Sequence, residues 1–330
     1  MSTIAAVSGD LVGSVAAYLV AGFSVSDIVS RAELVSATPA EVEAAASQLS
    51  MSPLLDIARQ LRTRLEARHW LMGARAEMAQ LGAGAILTER TGINRPEFLR
   101  DFYAENRPIL LRGVAAHWPA IEKWGRAYFT SVLGELPVEV MAGRGGAAVP
   151  EWNTASRLKA ITPMSAFVEK VYTAGPSNDY YMVSRNHFFA RSETRCLLSD
   201  ILPLQIFATL PAPENIRMWF GPQGTVTPLH YDDKNNVIVQ VLGRKTVCLY
   251  SPDDSEFMCQ KNHWYAAMDP RDHLVDVPTK RPAPRCHEFQ LSPGDALFIP
   301  VGWWHALTSL DVSVTLAFVE FGVNNEYPFK

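Results

Sequence analysis

Gly221-Pro222-Gln223-Gly224-Thr225-Val226-Thr227-Pro228-Leu229-His230-Tyr231-Asp232 is a turn-rich opening followed by a short β-type run that ends on two potential metal ligands. Residues two apart on a strand project to the same face. His230 and Asp232 can therefore reach one point from a single strand. A third ligand must come from elsewhere, and the best placed is His305, which closes Ser292-Pro293-Gly294-Asp295-Ala296-Leu297-Phe298-Ile299-Pro300-Val301-Gly302-Trp303-Trp304-His305. Two histidines and one carboxylate can occupy one face of an octahedral metal and leave the other positions open. Neutral imidazoles and an ionised Asp suit a divalent metal near neutral pH. An H-x-D triplet alone is also met as a polar strand end. The distant His305 strengthens it, because a β-rich domain can bring two strands together. His69, His117, His187, His263, His273 and His287 lack a carboxylate two residues further on.

Outward from this stretch the chain is β-rich. Ile109–Leu111, Val138–Val140, Tyr180–Val183, Ile216–Phe220, Val237–Leu242, Thr246–Tyr250, Ala296–Ile299 and Val312–Phe321 are short apolar or β-branched runs between turn signals. Many short strands at such spacing predict a sandwich or barrel. Gly243 predicts a tight hairpin between two of them. Lys245 follows on the returning strand, where its ammonium can pair with a carboxylate deep in the barrel; alone it would read as a solvated edge lysine.

Residues 1 to about 83 read as helical, and 84–330 as the β-rich domain. Leu11 to Val20 is closed by Gly22 as a C-terminal cap. Thr38-Pro39-Ala40-Glu41 is a capping box with proline at the first helical position. Ser52-Pro53 opens a further helix towards Gly82, with Leu54, Ile57, Leu61, Leu65 and Leu71 at mostly helical spacing. This region is expected to pack as an appendage or to form a homodimer interface. The segment from Pro278 to Pro284, rich in proline and basic residues, reads as a surface loop.

With 34 acidic against 30 basic residues, the charge balance argues against nucleic acid held through phosphate contacts. Cys196, Cys248, Cys259 and Cys286 form no C-x-x-C pair and read as free thiols of a reducing compartment. No Lys or Arg precedes Arg31, so no secretory signal is expected, and no apolar stretch reaches the length needed to span a bilayer. A cytoplasmic protein without membrane contact is the expectation.

Trp219-Phe220-Gly221-Pro222-Gln223-Gly224-Thr225-Val226-Thr227-Pro228-Leu229-His230, then Val239-Gln240-Val241-Leu242-Gly243-Arg244-Lys245, then the segment ending at His305, resemble the JmjC-type, cupin-fold 2-oxoglutarate oxygenases. Glu97-Phe98-Leu99-Arg100-Asp101-Phe102-Tyr103 resembles the opening of that domain, and the likeness covers roughly residues 88 to 322. It is nearest to small JmjC hydroxylases of protein side chains and to bacterial cupin-like proteins. The resemblance implies a mainly β fold with α, a double-stranded β-helix (jelly roll) preceded by a helical N-terminal region. It implies iron(II) on His230, Asp232 and His305, and 2-oxoglutarate as co-substrate. Lys245 would bind the distal carboxylate, supported by Thr227, Asn236 and Tyr181, with Trp219 as an aromatic pocket wall or a core residue. The implied reaction is hydroxylation of a side chain of a peptide or protein. Oxidation of a small molecule or peptide natural product, N-methyl-lysine demethylation, and a ligand-binding cupin without catalysis are the alternatives. Val319-Glu320 departs from the aromatic residues common at that place in the family, which leaves the far wall of the pocket to be established.

Overall fold

The computed structural model describes residues 11–32, 37–81, 87–144, 158–183, 187–258, 264–266, 269–273 and 283–327. The chain divides into two compact units, Met1–Glu77 and Met78–Lys330. In the first, α1 (Leu11–Val20) ends at Gly22, whose φ of +86° and N–H bond to the Leu19 carbonyl turn the chain out of the helix. α2 (Val25–Val29) and α3 (Pro39–Ser50) both start on capping boxes, Ser24 with Asp27 and Thr38 with Glu41. α4 runs from Pro53 to Leu81. Its Leu55 joins Val15, Leu19, Ile28, Val42 and Ala46 in a small core. Arg59 and Arg62 donate to the Leu19 and Val20 carbonyls at the end of α1, where helical carbonyls lack the N–H partners of a next turn. The apolar series read from the sequence, Leu54, Ile57, Leu61, Leu65 and Leu71, is instead exposed.

The second unit is built on β1 (Thr88–Arg90), β2 (Ile109–Leu111), β3 (Pro137–Met141), β4 (Lys159–Pro163), β5 (Ile216–Gly221), β6 (Val226–His230), β7 (Asn236–Leu242), β8 (Lys245–Tyr250), β9 (His287–Leu291), β10 (Ala296–Ile299), β11 (Trp304–Ser309) and β12 (Ser313–Phe318). The major sheet has the order β1-β2-β10-β7-β12-β5 and the minor sheet β6-β11-β8-β9, while β3 and β4 form a separate hairpin. Apart from the parallel β1–β2 pair, every strand pair among the described residues is antiparallel. From β5 onward the chain alternates between the facing sheets except at the consecutive minor-sheet strands β8 and β9. This is the double-stranded β-helix that the family resemblance implies, and one form of the sandwich or barrel expected from strand spacing.

Period-two alternation between two cores explains why β7 is buried from Asn236 to Val241. Val237, Val239 and Val241 join the larger core, with Phe98, Phe129, Phe167 and Phe220, and Ile238 joins the core between the sheets, with Val247, Leu249, Leu297 and Ile299. Phe98 meets Phe298 edge to face with ring centroids 4.9 Å apart. Each such fully buried ring contributes roughly 1.5–3 kcal/mol.

Two sequence expectations are corrected. The turn at Gly243 is not a hairpin: β7 pairs with β10 and β12, and β8 with β9 and β11, so Gly243 is a corner carrying the chain from one sheet to the other. Its φ is +67°, and a Cβ there would lie 2.1 Å from the Val312 carbonyl oxygen. Gly243→Ala is therefore expected to lower stability by at least about 2 kcal/mol, combining the left-handed penalty with a backbone clash; the denaturant midpoint measures it. Nor are all the cysteines free. Cys248 on β8 and Cys286, beside the start of β9, are joined as a disulfide with Cα atoms 5.9 Å apart. The β8–β9 register sets Cys248 opposite Glu288 and Leu249 opposite His287, which brings Cys286 alongside. Cys196 is free and exposed.

Cys259, His263, Gly82 and most of the Pro278 loop lie outside the described residues. Tyr180–Val183 is not a full strand; Tyr181 and Met182 make single bridges to Met141 and Phe220. Among the described residues no helix is long and apolar enough to cross a membrane.

Candidate metal centre and co-substrate cavity

Strand pairing brings the three candidate ligands together. His230 closes β6 and is the register partner of His305 on β11, with imidazole centroids 4.1 Å apart. Asp232 lies two residues beyond. Its oxygens stand 3.9 Å from His230 Nε2 and 3.7 Å from His305 Nε2. One donor atom from each residue falls within 4.8 Å of the others, a spacing at which the three could hold a metal ion. His230 Nδ1 lies 2.8 Å from the Pro228 carbonyl oxygen and His305 Nδ1 2.9 Å from that of Trp303. A carbonyl only accepts, so each Nδ1 carries the proton and each Nε2 lone pair faces the shared point. Burial, with the neighbouring His230, lowers the His305 pKa to about 4, so its imidazole is neutral at pH 7.

His230, Asp232 and His305 border a cavity of about 340 Å³ between the sheets. Lys245, Thr227, Asn236, Tyr181 and Trp219 line it too, so all eight residues singled out in the sequence meet at one place. Thr227 and His230 are three apart, which on a regular strand would put them on opposite faces. The β6–β11 register shifts between His305 and Leu307, and this irregularity lets both border the cavity.

Lys245 is 2% exposed. Its ammonium reaches the Tyr181 hydroxyl at 3.4 Å, and no carboxylate among the described residues pairs with it. Burial pulls its pKa down to about 7. The Tyr181 hydroxyl also lies 3.2 Å from Thr227 Oγ1. Asn236 Oδ1 is buried without a partner. An unpaired buried cation, two hydroxyls and an orphaned amide oxygen at one end of a cavity form a place built for an anion with further hydrogen-bonding groups.

Sequence reasoning missed three contributors. Arg144, fully buried, lies with its guanidinium 4.9 Å from the Tyr181 ring centre and donates to the Val226 carbonyl at 2.7 Å, tying Tyr181 to β6. Tyr265 stacks on His230, centroids 5.4 Å apart. Arg217 borders the cavity from β5, two residues before Trp219 and on the same face, a signal present in the sequence. Val319 fills the wall left open by the sequence, while Glu320 turns away to accept from the Ala212 N–H and the Asn215 side-chain amide.

Residues 95–319 match the model of the cupin-like domain. The chain is 32% identical over 237 residues to lysine-specific demethylase 8 of Xenopus tropicalis, covering 67% of this chain and 50% of that protein. It is 27% identical over 245 residues to tRNA wybutosine-synthesizing protein 5 of Gallus gallus, covering 68% and 74%. It is 28% identical over 166 residues to the human bifunctional peptidase and (3S)-lysyl hydroxylase JMJD7, covering 49% and 52%. The chain spans about half the length of the first of its curated relatives. Jelly roll, His-Asp-His group and these matches converge: the chain belongs to the cupin-like family, as a JmjC-type domain of the iron(II)- and 2-oxoglutarate-dependent oxygenases.

Proposed function

We propose that this chain hydroxylates a side chain of a peptide or protein, with iron(II) held by His230, Asp232 and His305 and 2-oxoglutarate held by Lys245. The observation that carries it is the pairing, in one cavity, of three convergent donors with a buried, unpaired lysine. The donor set fits iron(II): two Nε2 lone pairs and a carboxylate on one side, with the cavity on the other. Lys245 pairs with the distal carboxylate of the co-substrate, and Thr227, Tyr181 and Asn236 direct hydrogen-bonding groups at it. Trp219 and Val319 add apolar surface to the same cavity. Iron(II) held there would supply the oxidising chemistry, with dioxygen reduced and 2-oxoglutarate converted to succinate and carbon dioxide. The residues contribute position and a fixed imidazole tautomer. The catalytic domain is assigned to 84–330 and the helical region to 1–83.

Removing only the Tyr181 hydroxyl takes away its bonds to Thr227 and Lys245. Tyr181→Phe should raise the KM for 2-oxoglutarate about fivefold, the worth of roughly 1 kcal/mol of hydrogen bonding, with a smaller effect on kcat. Succinate release against 2-oxoglutarate concentration reads it.

N-methyl-lysine demethylation is the second reading, favoured by the names of the demethylase relatives. Both reactions insert one oxygen into a C–H bond; in demethylation the product collapses to formaldehyde and the shortened amine. Mass spectrometry of a peptide pool containing lysine, methyl-lysine, arginine and asparagine, incubated with enzyme, iron and 2-oxoglutarate, separates them. Hydroxylation adds one oxygen to a peptide; loss of a methyl group with formaldehyde release establishes demethylation instead.

A further inference from the structure

The charged groups around the cavity are mostly accounted for. Asp232 belongs to the metal group and Lys245 to the co-substrate end, and Lys234 is paired with Glu326. Arg217 is not. Half-buried on β5, it borders the cavity, yet no hydrogen bond, ion pair or ring contact engages it among the described residues. Several arginines of this unit are tied down: Arg112 to Glu89 and Asp295, Arg244 to Asp311, and Arg271 to Asp269 and Glu288. Ala317 is its register partner and Trp219 lies two residues on, on the same face of β5; both line the cavity, as do Val183 and Val319. A guanidinium held half out of water against apolar neighbours, with no partner, is poised for an anionic one.

Register separates this cation from the co-substrate end. Arg217 pairs with Ala317, and Ala317 with Ile238, so Arg217 stands level with Ile238. β7 then runs four residues, roughly 13 Å, to Leu242 before the chain turns to Lys245. Arg217 also lies on the major sheet, facing the minor sheet that carries His230 and His305 from about 10 Å away. Asp233, on the β6–β7 connection, borders the cavity with no partner of its own among the described residues and repels an anion seated beside it.

We propose that Arg217 is a specificity residue that clamps a carboxylate of the substrate, so that the molecule oxidised is acidic. This rests on the oxygenase reading above and names its substrate class. A planar, two-oxygen carboxylate matches the guanidinium fork. Its source is either an Asp or Glu side chain within a peptide, or a free terminal carboxylate of a peptide or small acid.

The test uses the full chain with iron and 2-oxoglutarate and three hexapeptide libraries. One has a fixed glutamate with both ends blocked; the second has glutamine in its place; the third is the glutamine library with a free C-terminal carboxylate. Wild type should bind one of the two carboxylate libraries about tenfold or more tighter than blocked glutamine, and which one identifies the source. That preference should vanish in Arg217→Ala and be only partly restored in Arg217→Lys. Arg217→Glu should reverse it in favour of a fourth library, added for this variant, with a fixed lysine and both ends blocked, with the KM for 2-oxoglutarate unchanged within about twofold. Equal binding of all libraries by wild type, a carboxylate preference surviving in Arg217→Glu, or a KM for 2-oxoglutarate that rises in Arg217→Ala with unaltered peptide preference would each overturn the assignment. Succinate release in the same samples reports the reaction separately. If the preference holds and no succinate forms, the oxygenase reading fails, and Arg217 stands as a carboxylate clamp for a bound ligand that is not oxidised.

Discussion

Asp232→Ala protein is expected to fold as wild type does, to bind iron at least about a hundredfold more weakly, and to release no measurable succinate. The carboxylate side chain is 40% exposed, so its loss leaves no cavity in a core. His305, at 3% exposed, is the worse choice, because its removal would disturb packing as well as ligation. Losing a group that merely orients a ligand typically costs ten- to a hundredfold in metal affinity, so losing a ligand costs at least the upper figure. Metal content after dialysis, with circular dichroism as the control on folding, measures both parts. A ligand-binding cupin without catalysis would have no succinate release to lose.

The second large effect has two opposite signs. Lys245→Met keeps the length and apolar stem of the side chain and removes the charge. The ligand-free protein should gain about 2–4 kcal/mol of stability, because a buried ammonium whose pKa has fallen from 10.5 to about 7 is held against its own desolvation. Affinity for 2-oxoglutarate should fall about a hundredfold or more, since the distal carboxylate would be buried with no counter-charge. The pH dependence follows from the same group. The bound dianion raises the lysine pKa above its ligand-free value of about 7, so above that pH binding takes up a proton. Affinity therefore declines as pH rises from about 7 towards 10, and Lys245→Met removes that slope. Thermal melts and calorimetric titrations across this range read all three effects. A variant that lost stability and kept its affinity would mean that Lys245 is a structural residue.

Much of this was legible in the sequence wherever a signal is local. Capping residues placed α3, and the apolar, β-branched run Val237–Leu242 placed β7. The two-residue spacing of His230 and Asp232 placed two donors on one face. What escaped depends on distant parts of the chain. Gly243 carries the same positive φ whether it closes a hairpin or turns a corner between sheets; the pairing of β7 with β12 decides, and that lies some seventy residues on. The irregularity that lets Thr227 share a cavity with His230 exists only once β11 is laid beside β6. Cys248 and Cys286 are 38 residues apart, and only the β8–β9 register brings them together. The apolar series on α4 shows the limit of periodicity: it found the helix but marked the exposed side rather than the packed one. Arg217 looks like an ordinary strand arginine until its neighbours are known to be the walls of a cavity.

The central claim is that one cavity joins an iron site on His230, Asp232 and His305 to a 2-oxoglutarate site on Lys245. Succinate release by the folded, iron-loaded chain, followed by mass spectrometry with and without dioxygen, tests it most directly. The account predicts succinate from 2-oxoglutarate only when iron and dioxygen are both present, and none from Asp232→Ala or Lys245→Met at the same co-substrate concentration. Turnover persisting undiminished in either variant, or absent from folded wild-type protein under every condition, would contradict it.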